Sequence, residues 1–259
     1  MSVVDFYDQL AENYHLIFKD WRDSVQRQGR ILNNLVRMHL PAAPNVTLYD
    51  CSCGIGTQAL GLAQQGYHVH ATDISPVAVE RARQEAINFG VDTNISFGIA
   101  DFRSLDTDVE GMFDVVLSCD NSLPHLLTDD DLTLAARNMR EKLNPGGLLL
   151  ISTRNYDDII LQRPTTDPLR VYGDSDGNRR ISFQIWDWEA NSTIYTVNHF
   201  IISGQTEWHT QYRQTQYRAL RRSELTTILT DAGFQDIQWH MPERTSYFQQ
   251  IVTARNHAP

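Results

Sequence analysis

The sequence predicts an α/β fold: a doubly wound sheet with helices on both faces, interrupted late in the chain by an inserted antiparallel β unit. Three observations predict it. Short apolar runs alternate with helix-period segments from Val46 to Ser152, the pattern of successive βαβ units. The first turn of that series, Asp50-Cys51-Ser52-Cys53-Gly54-Ile55-Gly56, is glycine-rich and leads into a helix-forming run. From Arg163 the alternation stops, and loop chemistry over residues 163–180 gives way to β-rich runs at Ile181–Trp188, Ser192–Ser203 and Thr206–Leu220.

Residues 5–40 read as helical. Tyr7, Leu10, Tyr14, Ile17 and Phe18 fall at helix-like spacing, Trp21 follows, and a second run extends from Ser24 to Leu40 before Pro41 and Pro44. The aromatic stripe packs either on the sheet as plain core or over a cleft; the polar handles of Tyr14 and Trp21 suit a helical cap, residues 1–45, over a cofactor. Val46–Tyr49 is the first strand, Thr57–Gly66 a helix and Tyr67–Asp73 the second strand. Ser75 is an N-cap with Pro76 at the first helical position, and Gly90 ends that helix, each where its backbone preference places it.

Ile95–Ile99 is the third strand, running into Ala100-Asp101-Phe102, and Phe113–Cys119 the fourth. Thr128 caps a helix with three aspartates in its first turn and Arg140 and Lys142 at its end, both suited to the helix dipole. Asn144-Pro145-Gly146-Gly147 then turns into Leu148–Ser152, apolar on both faces and so a buried strand. Asn191 and Gly204 mark hairpin turns in the antiparallel insertion, residues 163–220. Leu225, Ile228 and Leu229 share a helix face ended by Gly233, and strands Asp236–His240 and Phe248–Ala254 return to the α/β core. Residues 46–162 and 221–259 thus form one core, with the insertion as a lid.

A hydrophobic content of 41% supports a large core. The net charge of −10 argues against nonspecific nucleic-acid binding, which needs a basic footprint. Cys51, Cys53 and Cys119 make neither a disulfide framework nor a zinc pattern, so no metal is expected. With no leader-like start and no apolar run long enough to span a bilayer, the chain reads as cytoplasmic and not membrane-bound. Nothing in the sequence signals an oligomeric state.

The glycine turn alone is ambiguous. Gly54-x-Gly56-x-x-Ala59 also fits a dinucleotide fingerprint, and Asp73, placed to accept ribose hydroxyls, suits either cofactor class. Asp101-Phe102, able to bond and stack an adenine, and the small polar run Asp120-Asn121-Ser122 point away from a nicotinamide pocket. With Asp50-x-x-Cys53-Gly54-x-Gly56, Phe113-Asp114-Val115-Val116 and Pro145-Gly146-Gly147-Leu148-Leu149, the chain resembles the class I S-adenosylmethionine-dependent methyltransferases. The resemblance implies a seven-stranded Rossmann-like sheet and S-adenosyl-L-methionine as cofactor, leaving S-adenosyl-L-homocysteine. Its expected contacts are Tyr14, Trp21, Arg27, Cys53, Gly54 and Gly56, then Asp73, Ile74, Asp101, Phe102, Cys119 and His125. Arg27 is assigned to the cofactor carboxylate without a firm motif.

Two further segments, Cys119-Asp120-Asn121-Ser122-Leu123-Pro124-His125-Leu126 and Ser152-Thr153-Arg154-Asn155-Tyr156-Asp157, resemble glycine/sarcosine N-methyltransferases, enzymes of the betaine route that act on glycine and sarcosine. The resemblance gives Arg154 the acceptor's carboxylate and sets Asn121 beside it, the two expected at the catalytic centre. Tyr172 and Tyr217 join them as expected substrate contacts. Asp120 departs from the animal enzymes' glycine and adds a carboxyl near the transfer point. Three questions stay open: whether Arg154 instead pairs with Asp157 or Asp158, whether His125 acts as a base, and whether the acceptor is another amine or a hydroxyl.

Overall fold

The computed structural model describes residues 1–40, 45–173 and 177–257; the helix stops expected at Pro41 and Pro44 lie outside them. Helix α1 (Val3–Ala11) opens with a capping box: Ser2 Oγ accepts from Asp5 N, and the Asp5 carboxylate accepts from Ser2 N. One 3-10 turn, Tyr14–Ile17, separates it from α2 (Trp21–His39), which Asp20 caps. The second helical run therefore begins before Ser24, because the Asp20 side chain satisfies Asp23 N.

The alternating part follows as β1 (Thr47–Asp50), α3 (Thr57–Ala63), β2 (His68–Asp73), α4 (Pro76–Phe89), β3 (Ile95–Ile99), α5 (Leu105–Asp108) and β4 (Phe113–Ser118). It continues through α6 (Asp129–Glu141), β5 (Leu143–Thr153) and α7 (Tyr156–Gln162). Strands β6 (Arg170–Gly173), β7 (Arg179–Trp188), β8 (Ile194–Gly204) and β9 (Trp208–Arg218) make a separate antiparallel sheet. The chain returns as α8 (Arg222–Asp231), β10 (Gln235–His240), α9 (Pro242–Thr245) and β11 (Gln250–Arg255).

The seven-stranded sheet has the order β10-β11-β5-β4-β1-β2-β3. β1 to β5 are parallel, whereas β11 runs antiparallel between β5 and β10. Residues alternate between its two faces, as a pleated strand requires. Leu148 and Leu150 join Val25, Leu60 and Val79 from α2 to α4, while Leu149 and Ile151 join Leu105, Leu132 and Leu229 from α5, α6 and α8. Chain order reverses at β1, which pairs with β2 on one side and β4 on the other. In such sheets ligands bind outside the carboxyl ends of the strands at that point.

The insertion contains one strand more than its sequence suggests. β6 forms inside the stretch expected to be loop and pairs with β7, Val171 opposite Ile181. A four-residue run has too little pattern to be read locally; its partner supplies the hydrogen bonds.

Helices α2 and α3 cross with their backbones in contact. A Cβ on Gly61 would sit 2.3 Å from Val25 O and 2.9 Å from Gly29 Cα. Neither neighbour is a side chain that can swing aside. Gly61→Ala is therefore expected to cost about 1–3 kcal/mol or more by overpacking, seen as a lower thermal midpoint; an unchanged midpoint would contradict the close crossing.

Candidate active site

The carboxyl ends of β1 to β4 wall a first cavity of about 370 Å³. Its floor is the glycine turn. Gly54 has φ +53, and a Cβ there would meet only Tyr14 Cε1, at 3.9 Å, so the turn offers bare backbone to a ligand. Gly56, at φ +93, is the residue from which α3 starts. Asp73 holds the turn in place: Oδ2 accepts from Gly54 N at 2.8 Å and Oδ1 from Ser75 N at 3.0 Å. Beneath it, Asp50 Oδ2 is buried without a partner. Burial, reinforced by the charges of Asp73 and Asp120, pushes the Asp50 carboxyl up to about 7.

At the far end of the cavity are Asp101, Phe102 and Arg103. Arg103 forks onto Asp101, Nε–Oδ1 at 2.9 Å and Nη2–Oδ2 at 2.6 Å. Burial opposes ionisation of Asp101, but the Arg103 hydrogen bonds and charge outweigh it and hold the carboxyl below its usual range. Asp101 thus meets any ligand as an already ion-paired carboxylate.

A second cavity of about 640 Å³ lies between β5, the antiparallel sheet and the N-terminal helices. Tyr7, Tyr14 and Asp120 line both cavities and mark where they join. Arg154, at the end of β5, is half-buried in the second wall. Its Nη1 donates to Tyr195 Oη at 3.2 Å and its Nη2 to Gln184 Oε1 at 3.1 Å. The guanidinium carbon sits 5.0 Å from the Trp186 ring centre and 5.4 Å from that of Tyr217. Burial works against its charge, yet the surrounding tyrosine oxygens raise its pKa above the ordinary range. Among the described residues no carboxylate forms an ion pair with it: Asp157 pairs with Arg222 at 2.6 Å, and Asp158 accepts from Asn155.

Of the residues expected at the cofactor, Tyr14, Cys53, Gly54 and Asp73 line the first cavity, as do Ile74, Asp101, Phe102 and His125. Other expected contacts lie elsewhere. Trp21 is core: its indole N–H donates to Thr57 Oγ1 and its ring meets Phe89 edge-on. Cys119 is buried just past the end of β4, and burial pushes its thiol up. Arg27 lines the second cavity, not the first. Gly56 shapes the turn without lining the cavity.

Tyr172 and Tyr217 line the second cavity, each with its ring already over an arginine, Arg180 and Arg154 respectively. Asn121 is buried off both walls; its Oδ1 accepts from Arg154 N and Thr153 Oγ1, both at 3.2 Å. Its oxygen thus holds the backbone of Arg154, while its Nδ2 is buried without a partner. His125 is a neutral partner of the α1 helix, its Nε2 2.8 Å from Tyr7 Oη, and burial draws its pKa down to about 3. Sequence reasoning missed Tyr7, Gln58 and Arg103 on the first wall and Gln184 and His199 on the second. Only Tyr7, on the aromatic stripe of the cap, carried a signal. Among the described residues no three His, Cys, Asp or Glu side chains are grouped to hold a metal ion, and no helix is long and apolar enough to cross a membrane.

Residues 48–147 match the family described as methyltransferase domain. Over 141 residues the chain is 30% identical to the glycine/sarcosine N-methyltransferase of Parasynechococcus marenigrum, a stretch covering 54% of this chain and 48% of that protein. It is 27% identical over 204 residues to the glycine N-methyltransferase of Homo sapiens, covering 74% and 68% respectively. The chain thus spans about half the length of the first relative and two thirds of the second. The sugar N-methyltransferase KedS8 from a Streptoalloteichus species superposes with a TM-score of 0.76 over 96% of this chain and 94% of that one, at 17% identity. At that identity the superposition speaks for the fold. The match over residues 48–147 falls on the strands and turns that wall the first cavity, and with the fold it supports a class I S-adenosylmethionine-dependent methyltransferase.

Proposed function

We propose that the protein methylates the nitrogen of a small amino acid, glycine or sarcosine, in the second cavity. The observation that carries this reading is Arg154, a half-buried cation in the cavity wall with no carboxylate partner among the described residues. An unpaired charge in such a place is costly, and a ligand carboxylate relieves the cost through the rigid guanidinium fork. The curated relatives that the chain resembles include enzymes named for glycine and sarcosine.

The first cavity fits S-adenosylmethionine. The cradle at Gly54, which a Cβ would fill, suits its amino-acid tail; Asp73 would hold the ribose, and Asp101 with Phe102 the adenine. When bound, this cofactor supplies a methyl group made electrophilic by its sulfonium. The protein's own part is to exclude water and aim the acceptor nitrogen, and such positioning lowers the barrier by several kcal/mol. Tyr7 and Tyr14, shared with Asp120 by both cavities, stand where the two join.

A second reading has its own observation. A space of about 640 Å³ is far larger than glycine needs, and at its far side His199 is buried with Nδ1 unpartnered. A bulkier amine, such as an amino sugar, would use both; KedS8, a structural neighbour, is named as a sugar N-methyltransferase. Incubation with S-adenosylmethionine and a panel of glycine, sarcosine, dimethylglycine, larger amino acids, amino sugars and phenolic hydroxyls separates the readings. Turnover confined to glycine and sarcosine is expected. Turnover only with amino sugars selects the second reading, and none with any amine overturns both.

A further inference from the structure

We infer that Asp120 is the proton acceptor for the acceptor amine, an inference that rests on the N-methylation reading above. The amine enters as an ammonium, one proton passes from nitrogen to an Asp120 carboxylate oxygen, and the N–H electron pair stays on nitrogen as the lone pair facing the first cavity. The protonated carboxyl returns its proton to solvent before the next turnover.

Position carries the inference. Asp120 is the one carboxyl, among the described residues, in the walls of both cavities, where the nitrogen must sit to reach a cofactor methyl. The backbone is built to put it there. Asp120 and Asn121 are consecutive non-glycine residues in the left-handed region, φ +64 and +69, a conformation that persists only when its surroundings fix it. Asp120 N donates to Ser152 Oγ at 2.8 Å, Asn121 N donates to Ser152 O at 3.3 Å, and Asn121 Oδ1 accepts from Arg154 N. The same turn therefore fixes both the carboxyl and the arginine. A zwitterion with its carboxylate on Arg154 presents its ammonium toward Asp120.

The alternatives around the junction are poorer bases. His125 gives Nε2 to Tyr7, and burial holds it neutral with a pKa of about 3. Burial moves the Tyr7 and Tyr14 hydroxyls well above their usual range. Glu243 is exposed on the far wall. The groups that face Asp120 are Arg154 just past β5, Asp50 from β1, Tyr14 from the N-terminal 3-10 turn, Tyr217 from β9 and Tyr247 before β11, with Gln58 of α3 beside it. Burial raises its pKa to about 6 against the pull of Gln58 and Arg154. A carboxylate shifted toward neutrality is a better proton acceptor than an ordinary one.

Asp120→Asn and Asp120→Gly both tolerate the left-handed backbone, so loss of the carboxyl is tested twice without imposing strain. Wild-type kcat/KM for the acceptor is expected to rise and level off at or below pH about 6, because the bound cofactor's sulfonium favours the ionised carboxyl. In both variants it is expected to fall by ~10²-fold and to climb with pH up to the amine's own pKa, because only the neutral amine reacts. Independently of turnover, a ¹³C-carboxyl titration of the cofactor-free protein is expected to lose one resonance titrating near pH 6 in Asp120→Asn. Wild-type turnover with the variants' pH profiles unchanged, or no such resonance, overturns the inference and leaves the N-methylation reading standing. Wild-type inactivity toward every amine overturns that reading instead.

Discussion

Arg154→Ala is expected to cut kcat/KM for the amino-acid acceptor by ~10²–10³-fold while leaving S-adenosylmethionine affinity nearly unchanged. Removing one member of a buried, hydrogen-bonded charge pair costs about 2–5 kcal/mol, and each 1.4 kcal/mol is roughly tenfold. The two effects separate because Arg154 lines the second cavity and not the first. Steady-state kinetics with a calorimetric titration of the cofactor measure both. Arg154→Lys should recover only part of the loss, since a point charge does not reproduce a planar fork. Arg154 also bonds Tyr195 and Gln184, which belong to the antiparallel sheet. If that were its whole purpose, cofactor binding and thermal midpoint would fall together with acceptor turnover. A selective rise in acceptor KM distinguishes ligand binding from scaffolding.

What the sequence made legible follows the reach of local rules. The α/β alternation, the Ser75 and Thr128 caps and the glycine turn involve neighbours in the chain, and they stand where their residues imply. The acidic strand ends at Asp73 and Asp101 were likewise readable, because a parallel sheet brings successive carboxyl ends to one side. Features that depend on two distant segments were not. β6 exists through its pairing with β7, and the small-residue crossing of Gly29 and Gly61 joins α2 to α3. The aromatic stripe of the cap divides in three dimensions: Tyr7 and Tyr14 reach the cavities, whereas Trp21 turns into the core. Two aromatic residues of the insertion, Trp186 and Tyr217, lie against the Arg154 guanidinium, a contact between segments far apart in the chain. Asn121, a plausible ligand group by motif, spends its oxygen on the backbone of Arg154.

Asp73→Ala is expected to weaken cofactor binding by ~10²–10³-fold, because one carboxylate both faces the cavity and fixes its floor. Its two oxygens accept from Gly54 N and Ser75 N, and bonds to a charged group contribute about 1.5–3 kcal/mol each. Alanine would leave both donors unmet and free the turn at Gly54; Asp73→Asn keeps one acceptor oxygen and should fall between. Titration of the cofactor by calorimetry or tryptophan fluorescence reads the change, and wild-type affinity in Asp73→Ala would refute the assignment. The pH dependence follows from the same carboxyls. Burial raises Asp50 to about 7, Asp120 to about 6, and Asp73 above its usual value. In the cofactor-free protein, the unfolded chain loses these protons first, so stability falls as pH rises from about 4 toward 7. Bound S-adenosylmethionine reverses that balance at the site, since its sulfonium favours ionised carboxyls. Its affinity is therefore expected to drop as pH falls through 7 and 6, with S-adenosylhomocysteine, which lacks the sulfonium charge, responding less. Equal pH responses of the two ligands would show that these carboxyls do not sense the charge at the transfer point.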